Sequence, residues 1–452
     1  MKIKLVSPRA TMRPMDTLWK VHMAPPLGLL VVGALTPERH EVSLCDENVE
    51  RPRFGDAPDL VGISVKVDAF CRAAEIASHY RARGIPVVMG GIHATARPED
   101  CRRFADAVVI GEAEGLWPQV VEDAARGALR PVYRHAQPAS LDETPVPRWE
   151  LLRGKDYLFT NTLCAGRGCP WRCDFCYNSS PNIDARHRMK SVPQTLGEVR
   201  SLGVKHVMFI DDNFIGHPEK AAELMRALRP LNLTWHAAVS ADIGRREDLL
   251  DLMAESGCRS LFIGFESINP DSLRACHKSQ NRVEDYERTL ALIHRRGIMV
   301  NASLVFGFDT DGPEVFDATK DWLVRNRIAT MTAHLLTPYP GTRLHARMES
   351  EGRIVDRDLR HYNTATAVFR PLRMTCREME QGLLSIYREF YSWPNMIRRR
   401  PAYPRQRIAY WEFNLLYRKY GALTSRIGKT LGMRRLARLA KALAYPARCL
   451  VP

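Results

Sequence analysis

Cys169, Cys173 and Cys176 stand close together in the run Cys169-Pro170-Trp171-Arg172-Cys173-Asp174-Phe175-Cys176. Thiolates at this spacing, in a chain whose start carries no export signal, are metal ligands in preference to disulfide partners. Zinc normally closes a four-ligand shell of Cys and His. Here the spacing supplies three sulfurs and no obvious fourth ligand, which suits an iron–sulfur cluster with one iron left open.

With Phe175 directly before the last cysteine, the run resembles the signature of the radical SAM superfamily. The resemblance implies a [4Fe-4S] cluster on Cys169, Cys173 and Cys176. Its open iron would bind the amino and carboxyl groups of S-adenosylmethionine (SAM), and the cluster would cleave it reductively to a deoxyadenosyl radical. It also implies an external electron donor of flavodoxin or ferredoxin type.

The elements that must hold this loop repeat a strand–helix unit from residue 158 to about 345. Strands are predicted at 161–165, 205–211, 235–240, 260–266, 300–306 and 331–336. Parallel strands with right-handed crossovers predict a partial (β/α)6 barrel, with function at the carboxyl ends of the strands. The cysteine loop follows the first of these strands, at that rim. Polar residues end others: Asp211 and Asp212 the second, Ser240 the third, Glu266 the fourth, with Gly307 after the fifth. By resemblance Asp212, in preference to Asp211, would hold the SAM amino group. Glu266 would contact a ribose or carboxyl group, and backbone at Gly307 would lie along the adenine. Carboxylates facing a cationic sulfonium at a cluster make electrostatic sense. His334 and Tyr339, near the sixth strand end, could face substrate or pack.

Residues 1–130 alternate strands at 3–6, 41–45, 60–65, 87–89 and 107–110 with helices beginning near Pro26, Ala69, Pro98 and Glu114. This predicts an open, doubly wound (flavodoxin-like) α/β sheet that binds ligands beyond the carboxyl ends of its strands. Those ends are glycine-rich: Gly62-Ile63-Ser64, Gly90-Gly91-Ile92-His93 and Gly111-Glu112-Ala113-Glu114. Together with Pro25-Pro26-Leu27-Gly28 they resemble the cobalamin-binding domain that precedes many radical SAM domains. The resemblance implies cobalamin in a groove lined by Ser64, Gly90, Gly91 and Gly111. The Asp-x-His-x-x-Gly motif of histidine-ligated cobalamin enzymes does not follow the first strand. His22 lacks the flanking Asp and Gly, and His93 reads as a polar groove or core histidine, so a lower face without histidine is expected, as the resemblance also implies.

The expected organisation is a cobalamin-binding domain (1–135), a proline-rich linker (136–157), a radical SAM domain (158–345), a helical extension (346–397) and a basic tail (398–452). Tyr339-Pro340-Gly341-Thr342 and Tyr387-Arg388-Glu389-Phe390-Tyr391 extend the resemblance towards the radical SAM enzymes that methylate hopanoids and bacteriochlorophylls. The implied activity is methyl transfer to an unactivated carbon of a hydrophobic, lipid- or tetrapyrrole-like small molecule. Cyclisation or rearrangement with the same cofactors is the alternative. An RNA methylthiotransferase, which needs three cysteines in its N-terminal domain, fits less well, because Cys45, Cys71 and Cys101 lack the spacing. A sensor without activity is the non-enzymatic reading.

The 452 residues carry a net charge of +15, but 398–452 alone holds fourteen Lys/Arg against the single acid Glu412. The body of the chain is therefore near neutral. Leu436, Leu439, Ala440 and Leu443 make an apolar helical stripe beside Arg434, Arg435, Arg438 and Lys441. Three readings stay open for it: a helix packed on the barrel, a helix on an anionic membrane surface, or a nucleic-acid contact, the least expected partner. Eleven scattered cysteines and no long apolar run predict a cytoplasmic protein, with the tail permitting peripheral contact at the inner face of the membrane.

Overall fold

The computed structural model describes residues 1–16, 22–417 and 421–444. Two six-stranded parallel sheets form its frame. The first runs in the order β2-β1-β3-β4-β5-β6, from β1 (Lys2–Ser7), β2 (Glu41–Asp46), β3 (Leu60–Ser64), β4 (Val87–Gly90), β5 (Ala107–Ile110) and β6 (Val132–Arg134). Alternation along these strands divides two cores. Ile3, Leu5, Val88 and Val109 face the helices Leu27–Leu35 and Trp117–Ala125. Val6, Ile63, Met89 and Val108 face the helix Phe70–Arg81. A sheet buried on both faces reads as nearly continuous apolar runs, which is why these strands stand out in the sequence. The order reverses between β1 and β3, the switch point where doubly wound sheets bind ligands. The three-residue β6 directly follows Pro131 and has no apolar pattern of its own; pairing with β5 makes it a strand.

The second sheet runs β14-β13-β12-β11-β10-β7. Its strands are β7 (Thr162–Leu163), β10 (His206–Phe209), β11 (Thr234–Ser240), β12 (Cys258–Glu266), β13 (Met299–Phe306) and β14 (Thr330–Leu335). Each strand neighbours the next in sequence, as expected of a partial barrel. Helix starts are fixed locally. Ser191 accepts from the Gln194 amide and Asn269 from that of Asp271, each with proline following in the first turn. Thr375 and Glu378 form a capping box for the helix Cys376–Phe390.

That helix also closes the sheet. The Tyr387 hydroxyl accepts from the Ala333 amide at 3.0 Å and donates to its carbonyl at 3.2 Å; the Tyr391 hydroxyl treats Met331 in the same way. Two tyrosines thus satisfy backbone groups that the edge strand β14 would otherwise leave open. No helix among the described residues is long and apolar enough to cross a membrane.

Candidate functional site: a cysteine loop facing a glycine-lined cavity

Two short antiparallel strands, β8 (Gly166–Arg167) and β9 (Arg188–Met189), bracket the cysteine loop. They hold it through carboxylates at the end of β10. Asp211 is buried and accepts the amides of Ala165 at 3.1 Å and Gly166 at 2.5 Å. Burial pushes its carboxyl up to about 7 against the pull of those donors. Asp212 is exposed and accepts the Gly168 amide at 3.1 Å. The two neighbours therefore differ in kind: Asp211 is consumed by backbone, whereas Asp212 keeps an open side beside the loop.

Within the loop, Cys173 is buried and Cys169 and Cys176 are half-buried. Burial raises all three thiols, Cys176 to about 12, and Cys173 adds to the rise at both of the others. Among the described residues no three His, Cys, Asp or Glu side chains gather as closely as a single ion requires. The thiols of Cys169, Cys173 and Cys176 are the donor type that holds iron–sulfur clusters.

Asp174, inside the cysteine run, pins the loop to the barrel. Its carboxylate lies 2.8 Å from His277 Nδ1, its amide donates to the Cys276 carbonyl at 3.1 Å, and its own carbonyl accepts from the Leu344 amide at 3.0 Å. Phe175 packs edge-on to Phe308, with ring centroids 6.3 Å apart.

Facing the loop, Glu266 ends β12 with a φ of 63° at a register shift in the pairing of β12 with β13. Its carboxylate pairs with Lys278 at 2.7 Å, both side chains being buried. Burial alone would lower the Lys278 pKa; Glu266 outweighs it and holds the ammonium above its ordinary value, with Cys173 adding to the effect. Lys278 also lies 6.0 Å from the Phe175 ring centroid, and Gln280 Nε2 lies 3.8 Å from Cys173 Sγ. Lys278 is thus a buried cation at the cysteine loop that no pattern in the sequence indicated.

Ser240 accepts from Asn213 Nδ2 at 3.1 Å and donates to Asp242. Gly307 has a φ of 100°, and a β-carbon there would run into Met379 Sδ. Its amide donates to Asp311 at 3.0 Å. Tyr339 stacks on Tyr177, with centroids 5.1 Å apart, while His334 lies 3.2 Å from Arg13 and 3.0 Å from Thr364 Oγ1. Near the loop, Tyr177 Oη, Gln280 Oε1 and Asn213 Oδ1 are buried without a hydrogen-bond partner. Buried polar atoms of this kind suit a site whose polar ligand supplies the missing partners.

A cavity of about 320 Å3 opens between the two sheets, and Ser64, Gly90, Gly91 and Gly111 line it, with Leu5 and Ile63 from the switch point. Gly91 has a φ of 96°, and a β-carbon would come within 3.0 Å of Val65 N. At Gly111 a β-carbon would meet no protein atom and would project into free space. A glycine rim at the carboxyl ends of β4 and β5 lets a bulky ligand approach backbone closely. These residues fit cobalamin, and the histidines stand apart from that rim. His93 is fully buried against Phe70, 3.4 Å from Asp100. The ring of His22 is bonded to the Asp156 carbonyl at 2.8 Å.

The opposite wall of the cavity comes from the barrel: Cys164, Arg167, Lys190 and Glu198. Arg167 pairs with Glu114 at 2.5 Å, and Arg188 with Glu112 through contacts of 2.6 and 3.1 Å. Burial opposes ionisation of Glu114, but Arg167 prevails and holds the carboxyl below its usual range. Both strands that carry the cysteine loop are therefore tied to the strand-end loop of the first domain. Of the remaining cysteines, Cys45 and Cys101 are packed in the core of the first sheet, Cys258 and Cys276 in that of the barrel, and Cys71 is half-buried on its helix.

Comparison with known proteins agrees with this architecture. Residues 163–323 match the model of the radical SAM superfamily, and residues 22–121 that of the B12 binding domain. The chain is a radical SAM enzyme. More particularly, it belongs to the radical SAM enzymes that carry a cobalamin-binding domain. It is 28% identical over 429 residues to bacteriochlorophyllide d C-12(1)-methyltransferase of Chlorobaculum tepidum, covering 92% of each chain. It is also 28% identical over 362 residues to hopanoid C-2 methylase of Rhodopseudomonas palustris, covering 75% of this chain and 67% of that one. The fold matches a radical SAM methyltransferase from Kitasatospora setae, solved with cobalamin and a [4Fe-4S] cluster bound. The TM-score is 0.61 at 21% identity, over 77% of this chain and 78% of that one.

Proposed function

We propose that the protein transfers a methyl group to an unactivated carbon of a hydrophobic, lipid- or tetrapyrrole-like small molecule. One observation carries this reading: Arg167, two residues before Cys169, stands in the wall of the same cavity as Ser64, Gly90, Gly91 and Gly111. The radical-generating loop and the cobalamin groove are therefore neighbours, as methyl transfer to a carbon radical requires. When bound, a [4Fe-4S] cluster with SAM supplies a hydrogen-abstracting radical, and cobalamin supplies the methyl group.

The chain's own part is to bind, orient and exclude water. Cys169, Cys173 and Cys176 hold the cluster. Asp212, Ser240, Glu266 and Gly307 would line the SAM site, and Lys278, paired with Glu266, would supply positive charge at the cysteine loop. Ser64, Gly90, Gly91 and Gly111, which line the cavity, would hold cobalamin. The Arg167–Glu114 and Arg188–Glu112 pairs fix the distance between the two sites. Reduction of the cluster requires an external one-electron donor of flavodoxin or ferredoxin type.

The test is anaerobic reconstitution with iron and cobalamin, then incubation with SAM labelled in its methyl group and with lipid or tetrapyrrole extracts. Label is expected in a lipid- or pigment-soluble product, and both SAM cleavage and labelling are expected to vanish in Cys173→Ala. SAM cleavage with an altered product that carries no label would replace methylation by cyclisation or rearrangement.

A further inference from the structure

At the far end of the barrel, where β14 begins, the helical extension is locked to the sheet by Arg399. This side chain is fully buried. Its guanidinium donates to the carbonyls of Ile328 at 3.0 Å, Ala329 at 2.6 Å and Phe390 at 3.0 Å, and to Asn414 Oδ1 at 2.6 Å. It also lies 3.5 Å from the Phe390 ring centroid. Burial lowers it to about 10. With Arg399 turned inward, its neighbours Arg398 and Arg400 are exposed.

There they meet Arg327, from the turn before β14, and Arg407, the first residue of the helix Arg407–Tyr417, around a cavity of about 350 Å3. Arg327 holds a φ of 50°, a conformation uncommon for a residue with a side chain. None of these four guanidiniums has an ion pair among the described residues. Four like charges around one cavity repel unless an anion lies between them. The planar fork of arginine matches phosphate in particular. Ile397, which lines the cavity, is 52% exposed; Ile408, next to Arg407 in the chain, is 48% exposed, and Trp393, one turn before Ile397, is 41% exposed. Exposed aliphatic side chains have no partner on a nucleic-acid backbone, but they do at the headgroup–acyl boundary of a bilayer.

We infer that this arginine cavity is a docking site for the phosphate headgroup of an anionic phospholipid, with Ile397 and Ile408 entering the interface beside it. The site lies at the amino ends of the barrel strands, whereas the cysteine loop lies at their carboxyl ends, so docking leaves the cofactor end of the barrel uncovered. It stands independently of the proposed methyl transfer.

Co-sedimentation of the full chain with phosphatidylcholine vesicles, with and without phosphatidylglycerol, tests the inference. Binding is expected only with phosphatidylglycerol. It should fall at least about tenfold in Arg398→Gln/Arg400→Gln/Arg407→Gln, with iron content and thermal midpoint unchanged. The control Arg426→Gln/Arg435→Gln/Arg438→Gln, in the tail helices, should lose clearly less. Should the first triple variant fail to fold, Arg400→Gln and Ile397→Glu, both at exposed positions, carry the same expectation singly. Equal losses in the two triple variants would show diffuse charge attraction and overturn the assigned site. So would binding of inorganic phosphate or RNA without vesicle binding, or no vesicle binding at all.

Discussion

Glu266 keeps a side chain where φ is 63°, and that side chain reaches a buried lysine twelve positions later in the chain. Backbone strain of this kind costs about 1–3 kcal/mol and persists where the surroundings over-determine it; here the ion pair with Lys278 does so. A buried pair contributes little net stability, yet removing one partner strands the other. Lys278→Met is therefore expected to lower stability by about 3–5 kcal/mol in urea unfolding. Lys278→Met/Glu266→Gln should recover part of that loss without recovering SAM cleavage. A single variant as stable as the wild type would mean that Glu266 does not depend on Lys278. Lys278 lies in a loop after the short helix Pro270–Ala275, where no periodicity or motif marks a residue as facing inward. Asp174 was in plain view inside the cysteine run, but its partners His277 and Leu344 come from distant segments, so its clamping role was not readable.

At the scale of elements, the β8–β9 pair and the loop after β5 act as a clamp between the domains. Glu114 is depressed in the folded chain by Arg167, in spite of burial. Its contribution is therefore fully present above the pH at which an unfolded glutamate ionises, and is lost as pH falls through the depressed value. Arg167→Met should speed amide hydrogen exchange in residues 111–115 and 166–168 at neutral pH and reduce cobalamin retention on gel filtration. In acid, where Glu114 is protonated in both proteins, the two exchange patterns should converge. Identical exchange at neutral pH would show that the clamp is unimportant. The strands themselves were legible because apolar runs and glycine-ended turns are local properties. The pairs that join them were not, since Glu114 and Arg167 are fifty-three residues apart and neither is unusual for a surface residue.

For the whole molecule, the tail is a brace as well as a charged surface. Met433 and Ala437 pack against Leu158, at the start of the second domain. Asp156 caps the helix Met433–Ala444 by accepting the amides of Met433 and, at 2.7 Å, Arg434. Leu439 and Leu443 from the expected apolar stripe remain more than half exposed, while Leu436 is partly buried. Part of that stripe therefore docks and part does not, and Met433 and Ala437 carry the docking. Asp156→Ala removes the cap, worth about 1 kcal/mol. Limited proteolysis should then release the tail segment faster, while the iron content stays unchanged. Unaltered proteolysis would assign the brace to apolar packing alone.

The sequence by itself determined the two parallel sheets, the order in which they come, the cysteine loop and the glycine rim. Each of these is written in short-range spacing: apolar runs of strand length, three thiols within one loop, glycines at strand ends. Only the tertiary structure decided that Arg167, at the start of the loop, and the glycine rim share one cavity, that Asp211 is buried against backbone while Asp212 stays exposed, and that Lys278 and Arg399 are buried cations. Those facts depend on which distant segments meet, and charged residues look alike in sequence whether they end in water, in a core or against one another.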